Sequence, residues 1–471
     1  MKHLITLSFY FLFILPVIAQ DQYITGIIKD ESGSNVPILN SWNFHFQNTE
    51  IGQGDAGFPA KYSGWNSLNS KGEVQKTVTL DLFAGLHLWH GAEAHIDLLM
   101  WQGFGLTQSF GIEAFPEGDA YKAGTVIPNF TVAHLFIRQT IGLGGEQERI
   151  PDDQLSLNTR KDISRLTFIL GRSSPLDIFD NNTYSHDTHT QFINWAMMGN
   201  LAWDYPQNTV GYTTGLMVEL NQAKWTLRYG FFPMPRDKNG FTGDDQFLMW
   251  PTRGAYGPFL RSWGQMVEIE YRYSINVHPG AIRVLSWLDE ADFASYQVAT
   301  AMLLVSPPSR DLGQGSGITI PSAARAYRYK NGFGLNWEQE VAKNIGVFSR
   351  LGWNDGHNES WTYTDINWTA SIGVSVKGGT WHRPGDSFGL AGIVSGASNE
   401  NQKFLEAGGT DMLDGDGALN YQPEKVLETF YDIQILKSVH AMIDYQFVAN
   451  PAFNHDRGPV SIFGMRIHWE F

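Results

Sequence analysis

The chain contains no cysteine among its 471 residues. This absence excludes disulfides, iron–sulfur clusters held by thiolates and catalysis by a cysteine nucleophile. Charged residues are also scarce, at 17% of the chain, whereas ordinary soluble domains carry about 25%. The sequence has no run rich in lysine and arginine, and its net charge is −15. Nucleic acid is therefore not expected as a partner, because phosphate binding needs clustered basic side chains.

Long apolar runs are missing beyond the N-terminus, so we predict no membrane-spanning helix. The chain begins with a basic residue at Lys2, an apolar run over 4–15 and a small-residue site over 17–19. This pattern predicts a signal peptide over 1–19 and an N-terminal periplasmic segment over 20–40. A permanent anchor is the alternative, but a spanning helix needs about 20 apolar residues. An exported chain of this kind can reside in a membrane only as a β-barrel.

Aromatic residues, by contrast, are abundant, at 14%, and apolar and polar residues alternate along much of the chain. Alternation is typical of strands with two different faces, and it is clear over 77–88, 211–220 and 265–274. A soluble sandwich alternates with its apolar face inward, whereas a membrane barrel turns that face to lipid. The runs have about nine to twelve residues, enough for a tilted strand to cross a bilayer, which favours the barrel. Aromatic residues near strand ends also fit interfacial girdles; they are Trp89, Trp101, Trp353, Trp469 and Phe471.

Seventeen segments are candidate strands, and the lengths of their connections decide among them. A closed barrel of this kind has an even number of strands and alternates short turns with long loops. Counting 196–203 as a strand would invert that order, so we exclude it, and only 142–163 remains unusually long for a turn. We predict an all-β fold over 41–471, a transmembrane antiparallel barrel of about 16 strands, with 18 as the alternative. Long loops are expected outside the cell and short turns in the periplasm. The strands are expected near 42–51, 77–89, 92–101, 130–141, 164–171, 211–220, 224–231, 265–274, 281–288, 332–339, 344–353, 366–376, 386–395, 427–436, 439–447 and 460–471.

The last predicted strand runs to Phe471 at the end of the chain. We expect it to close the barrel by pairing with the first strand. A terminal Phe after alternating apolar residues also resembles the C-terminal signature of bacterial outer-membrane barrels, which their assembly machinery reads. The sequence therefore predicts a location in the bacterial outer membrane, with membrane lipid and the barrel-assembly machinery as partners.

The third long loop, 172–210, is the main candidate for function. A barrel of sixteen strands leaves a water-filled channel, which a loop at this position narrows in porins. Residues 192–203 are apolar enough to pack against the wall, and the loop combines polar groups suited to sugar hydroxyls with rings suited to the apolar faces of sugars. An ordinary wet surface loop is the alternative. The candidate residues are Asp177, Asp180, Asn181, Asn182, Tyr184, His186, Asp187, Gln191 and Trp195.

Alternation also places basic side chains on the inner face of the wall. They are His134, Arg138, Arg165, Arg228, Arg272 and Arg350. These groups could steer a solute or bind sugar hydroxyls. The alternative is that each one pairs with a neighbouring carboxylate, such as Glu268 or Glu270, and serves only the wall.

Several segments resemble the carbohydrate-selective porins of the OprB type. They are RQTIGLGG (138–145), LDIFDNNTYSHDTHTQFINWA (176–196), GWNDG (352–356), EAGGTDMLDGDGALNYQPE (406–424) and NPAFNHDRGPVSIFGMRIHWEF (450–471). The last two are the most distinctive, and the resemblance extends from about residue 40 to the end. It implies a sixteen-stranded outer-membrane porin for glucose or related neutral sugars. The sequence does not decide between a monomer and a homotrimer.

Other functions have weaker support. The pair His186 and His189 with Asp187 is a weak metal pattern, and the spacing of Asp411, Asp414 and Asp416 does not match an EF-hand. We expect no resident metal and no cofactor, although calcium binding by the loop of Asp411, Asp414 and Asp416 stays an open alternative. We expect no enzyme activity; the alternatives are an outer-membrane barrel hydrolase, a non-selective or structural barrel, and a soluble sandwich lectin.

Overall fold

The computed structural model describes residues 27–29, 35–37, 41–120, 124–236, 238, 256–305, 320, 322–362 and 364–471. The predicted signal peptide over 1–19 lies outside these residues, as does most of the predicted segment over 20–40. Within that segment, Ile27–Lys29 and Asn35–Pro37 pair as two short antiparallel strands.

Sixteen antiparallel strands close into one barrel, so the predicted fold class and strand number are confirmed. The strands are β1 (Trp42–Asp55), β2 (Glu73–Trp89), β3 (Ala92–Gly103), β4 (Thr125–Gly142), β5 (Arg165–Ser173), β6 (Thr213–Asn221), β7 (Trp225–Pro233), β8 (Trp263–Ile275), β9 (His278–Ala291), β10 (Arg328–Ala342), β11 (Ile345–Asn354), β12 (Trp368–Lys377), β13 (Ser387–Gly396), β14 (Glu424–Leu436), β15 (Val439–Ala449) and β16 (Val460–Glu470). The segment 196–203 contributes no strand, and a single helical turn, α1 (Trp195–Met198), occupies its start.

The two phases of alternation face different surroundings, as the sequence predicts for a membrane barrel. Apolar side chains such as Phe44, Ile269 and Phe463 lie on the outer surface and are half exposed or more. Carboxylates in the opposite phase, such as Asp81 and Glu268, are buried inside. This outer apolar surface is the one that a lipid bilayer would cover.

Trp101 is an exception to the predicted aromatic girdle. The prediction is wrong for this residue, which is buried against Leu99, Ala133 and Val210. Trp101 shares its alternation phase with Asp97 and therefore points inward, whereas Trp89 and Trp353 point outward and are about half exposed.

The last strand closes the barrel on the first, as predicted. β16 pairs with β1 in antiparallel register from Ile462 opposite Asp55 to Glu470 opposite Gln47. Phe471 continues this ladder, because its backbone N–H and C=O both bond Phe46, at 3.0 and 2.8 Å. The rings of Phe46 and Phe471 lie 5.0 Å apart.

The connections alternate between short and long, so the barrel has a short-turn end and a long-loop end. The long connections are numbered here as loop 1 (56–72), loop 2 (104–124), loop 3 (174–212), loop 4 (234–262), loop 5 (292–327), loop 6 (355–367), loop 7 (397–423) and loop 8 (450–459). Loop 5 contains α2 (Tyr296–Val305) and loop 7 contains α3 (Asn399–Glu406), which pack together. Short 3-10 turns lie at Leu106–Ser109, Pro175–Asp177, Ser322–Ala324, Gly378–Trp381 and Pro451–Phe453. Within the described residues, no helix is both long and apolar enough to cross a membrane.

One connection at the short-turn end is long, and it enters the barrel. Residues 143–164 form a hairpin of Gln147–Ile150 and Thr159–Asp162, called here the turn hairpin. Its tip contacts inward side chains of the wall: Asn43 Nδ2 donates to Asp152 Oδ1 at 2.8 Å, and the Arg138 guanidinium donates to the Leu155 carbonyl at 2.9 Å. The unusual length of 142–163 therefore reflects a segment that occupies part of the lumen.

Candidate functional site in the barrel lumen

Loop 3 crosses the lumen and is anchored to the far wall. It connects β5 and β6, yet its polar anchors extend from the nearby β8 to strands across the barrel. The backbone N–H of Asp180 donates to Glu268 of β8 at 2.7 Å, and the N–H of Ile193 donates to Glu428 of β14 at 2.7 Å. Since β14 is far from β5 and β6 around the barrel, the loop must span the interior.

Arg350 of β11 is the most heavily bonded of these anchors. Its side chain is 2% exposed and its Nε lies 3.1 Å from Asp180 Oδ2. The same guanidinium donates to the carbonyls of Ser185 at 2.6 Å and Met197 at 2.8 Å. One buried cation thereby holds two separate stretches of loop 3 against the wall.

Apolar packing supports the same half of the loop. The Phe192 ring makes edge contacts with Phe348 of β11 and Phe430 of β14, with centroids 5.6 and 4.9 Å apart. Phe179 and Trp203 are fully buried in the same cluster. The apolar segment that the sequence excludes as a strand thus forms a core inside the barrel.

Two cavities lie beside loop 3: the upper one against β1–β4, with loop 2 also in its lining, and the lower one against β4–β7. The upper cavity has a volume of about 280 Å³ and the lower one about 260 Å³. Asp177 lines both cavities. The turn hairpin contributes to both cavities as well, through Leu155 above and Ser156 below.

The upper cavity is lined by carboxylates held in place by imidazoles. His134 bonds Asp97 through Nδ1 and Asp177 through Nε2, both at 2.9 Å. His189 lies between Asp187 at 2.9 Å and Asp119 at 3.3 Å. Each histidine thus joins two aspartates.

The charges of this cavity follow from that pairing. Burial opposes a charge on His189, but Asp119 and Asp187 on either side outweigh it and raise the pKa of His189 well above its usual value. Burial would raise the pKa of Asp187, but hydrogen bonds from His189 and Thr190 lower it. The pKa of His186 is lowered, mainly by burial and also by the charge of Arg350. His189 is therefore cationic and Asp187 anionic at neutral pH, while His186 is neutral.

Aromatic rings complete the upper cavity. Phe83, Trp195 and Tyr212 all line it. Tyr212 meets His134 edge-on at 5.1 Å, and Trp195 packs against Phe115 of loop 2 at 6.3 Å. The cavity therefore combines flat apolar surfaces with a dense set of hydrogen-bonding groups.

The lower cavity is lined by basic side chains that all have acidic partners. Arg138 bonds Glu93 at 3.2 Å, and Arg165 bonds Glu148 of the turn hairpin at 2.5 Å. Arg228 has three partners, which are Glu219 at 2.8 Å, Glu268 at 2.7 Å and Glu270 at 3.1 Å. The geometry thus favours the pairing alternative, although these three arginines still line open space.

The structure divides the predicted site residues into two groups. Those lining a cavity are Asp177, Asn181, His186, Asp187, Trp195, Arg138, Arg165 and Arg228. The others line neither of these two cavities: Asp180, Asn182, Tyr184, Gln191 and Arg272. Asp180 and Asn182 bond Asn336 of β10, and Gln191 accepts the N–H of His186 at 2.7 Å. Tyr184 lies over Gly346 of β11, and Arg272 pairs with Glu270 near the short-turn end.

Other lining residues were not singled out from the sequence. Asp81, Phe83 and Asp97 come from β2 and β3, Asp119 from loop 2 and Lys161 from the turn hairpin. Alternation places Asp81 and Asp97 on the inner face, so the sequence could have predicted both as lining residues. The position of Asp119 and Lys161 depends on how their segments fold into the barrel.

A closed sixteen-stranded barrel with an apolar outer surface, a polar lumen and an inserted loop defines a porin-type channel. The model of the OprB family of carbohydrate-selective porins matches residues 66–471. The chain belongs to this family, whose members are channels and not enzymes. The family and fold imply an outer-membrane location.

Several solved structures are similar to this chain, and the first of them supports the fold. The high-pH structure of Pseudomonas putida OprB is 16% identical, with a TM-score of 0.68, and the match covers 92% of this chain and 94% of that one. The outer membrane channel DcaP of Acinetobacter baumannii is 9% identical with a TM-score of 0.47, covering 91% and 97%. Salmonella typhi OmpF is 10% identical with a TM-score of 0.47, covering 92% and 99%. No curated protein matches the sequence.

Proposed function

We propose that the chain forms a channel for facilitated diffusion of small neutral sugars across the bacterial outer membrane. The upper cavity is the main support for this function, because the Trp195 and Tyr212 rings line the same space as buried aspartates and imidazoles. Its volume of about 280 Å³ is just below the roughly 300–1,000 Å³ of small-molecule sites. A monosaccharide or one ring of an oligosaccharide suits that space.

The pairing of charges favours neutral over anionic solutes. Asp97 and Asp177 share His134, and Asp119 and Asp187 share His189. A carboxylate has about four acceptor positions, so these groups can also accept hydrogen bonds from the hydroxyl groups of a solute. An anionic solute would meet these carboxylates at close range and be repelled. A sugar passing Asp177 would next meet the guanidinium groups of the lower cavity, which can donate to its oxygens.

Loop 3 is the proposed constriction. Its anchoring to β8–β16 leaves the remaining passage along β1–β7, where both cavities lie. We place the long loops outside the cell and the short turns in the periplasm, with Phe471 as the contact for the assembly machinery and lipid around the apolar wall. Monomer and homotrimer remain the two alternatives for the oligomeric state.

Liposome swelling with the refolded protein tests this function. We expect faster entry of glucose than of an amino acid of similar size. Equal rates would leave a general porin, and no swelling would refute an open channel. Trp195→Ala should reduce the advantage of glucose, whereas Trp353→Ala, on the outer surface, should not change it.

A further inference from the structure

Three buried carboxylates from different loops meet near the long-loop end. They are Glu113 of loop 2, Asp365 of loop 6 and Asp414 of loop 7, and each is 0% exposed. One side-chain oxygen from each lies within 4.8 Å of the other two. Residues so distant in the sequence are brought together only by the fold of the loops.

The loops are bonded to one another around this cluster. Glu113 Oε2 accepts the backbone N–H of Asp365 at 3.1 Å, and Asp365 Oδ2 accepts the N–H of Leu413 at 2.8 Å. The N–H of Gly111 donates to the Leu413 carbonyl at 2.9 Å. The carboxylates are therefore held in place by the backbone of neighbouring loops.

Several of their oxygens have no such partner. Both carboxylate oxygens of Asp414, and Oε1 of Glu113, are buried and accept no hydrogen bond from any residue that the structure describes. A buried carboxylate oxygen without a partner is costly, because it has lost water and gained nothing in exchange. An unpartnered oxygen of Asp414 therefore lies within 4.8 Å of an oxygen of Glu113 and one of Asp365, which is the arrangement that a cation would satisfy.

The cations nearby already have acidic partners of their own. Lys238 pairs with Asp411 and lies 3.0 Å from Glu359, and Arg325 lies 2.7 Å from Glu359. Tyr296 donates its hydroxyl proton to Asp411 at 2.5 Å. Arg457 faces Asp416 at 3.9 Å.

Protonation is the competing way to satisfy the cluster. Burial, followed by repulsion from the neighbouring carboxylates, raises the pKa values of both Glu113 and Asp414 well above their usual range. A bound divalent cation would reverse that effect by keeping the carboxylates ionised. The two alternatives therefore differ in whether calcium binds and in whether its removal loosens the loops.

We propose that Glu113, Asp365 and Asp414 bind one divalent cation of the calcium type. The three ligands are hard carboxylate oxygens without nitrogen or sulfur, which suits Ca²⁺ rather than zinc or copper. Two oxygens that each lie about 2.4 Å from one Ca²⁺ ion are at most about 4.8 Å apart, and the three ligand oxygens stay within that limit. Water and backbone carbonyls would complete the coordination.

This cation site is linked to the constriction through loop 2. Ala114, next to Glu113, accepts a hydrogen bond from the Asn194 side chain of loop 3 at 3.0 Å. Further along loop 2, the N–H of Gly118 donates to the Ile193 carbonyl at 2.7 Å. A cation that ties loops 2, 6 and 7 together would therefore also hold the neighbouring part of loop 3.

Calcium binding to the refolded full chain in detergent tests the proposal. After dialysis against EDTA, radioactive calcium would be measured by equilibrium dialysis for the wild type, Glu113→Gln, Asp414→Asn and the control Glu406→Gln, an exposed residue of loop 7. We expect one ion per chain for the wild type and the control. Affinity should fall more than about tenfold in the two cluster variants, since changes one shell further from a metal already cost about 10- to 100-fold. No binding by the wild type, or equal binding by all four proteins, would overturn the proposal.

Limited proteolysis of the wild type alone gives a second test that does not depend on the folding of any variant. We expect loops 2 and 7 to be cut faster in EDTA than in calcium chloride. Equal cleavage of the wild type in EDTA and in calcium would count against the site.

Discussion

Replacing Arg350 with alanine should release loop 3 from the wall. The substitution leaves Asp180, which is 3% exposed, without its cationic partner. Removing one partner of a buried ion pair costs about 3–5 kcal/mol. Asp180 keeps the Asn336 amide at 2.7 Å and the Asn200 N–H at 2.7 Å, so we expect a cost near the lower value. A loss of about 3 kcal/mol raises the open fraction of the loop about 100-fold.

Single-channel recording in planar bilayers measures this directly. We expect Arg350→Ala to show a larger and noisier conductance and a weaker preference for glucose, because the loop no longer narrows the lumen at all times. Chymotrypsin should also cut loop 3 faster, since this loop is rich in aromatic residues. Arg383→Ala is the matched control, because Arg383 pairs with Asp386 at the short-turn end and its side chain is 53% exposed. Conductance and cleavage equal to those of the wild type would refute the anchoring role of Arg350.

Two further predictions concern the same loop. The raised pKa of His189 keeps it charged at neutral pH, and the stability from its ion pairs is complete below its usual pKa and lost as the pH rises through the raised value. Potassium-over-chloride selectivity, from reversal potentials, should therefore increase at alkaline pH, and His189→Gln should show the higher selectivity already at neutral pH; a reversal potential that is unaffected by both changes would contradict this. Gly346→Ala would place a Cβ 2.0 Å from the Tyr184 ring, whereas Gly52→Ala meets nothing within 4 Å. We expect only the first to destabilise the protein, by about 1–3 kcal/mol in denaturant unfolding, and equal midpoints would refute the packing of Tyr184 on β11.

Alternation and connection lengths were enough to predict the barrel, because both are local properties of the sequence. The segment 196–203 could be excluded as a strand because a closed barrel needs an even number of strands, with short turns and long loops in alternation. Trp101 shows that residue type alone is not enough. A tryptophan near a strand end fits an aromatic girdle, but Trp101 occupies an inward position in the alternation of its strand.

The division of the candidate site could not be predicted in the same way. Asp180 and Asp187 lie seven positions apart in one polar loop, and nothing local distinguishes the wall anchor from the cavity residue. That difference arises where the loop meets Arg350 and Asn336, from distant strands. Glu113 and Asp365 are even further apart, and the turn hairpin was recognisable only by its length.

The anchoring of loop 3 divides the circumference of the barrel into two parts with separate tasks. Strands β8–β16 carry most of its attachments, whereas β1–β7 provide the inner wall of both cavities. Substitutions in β1–β7 can therefore alter which solutes pass while the loop stays seated. Relatives with this layout could therefore change the solutes they admit through substitutions in β1–β7. The residues of β8–β16 that hold loop 3 would stay the same.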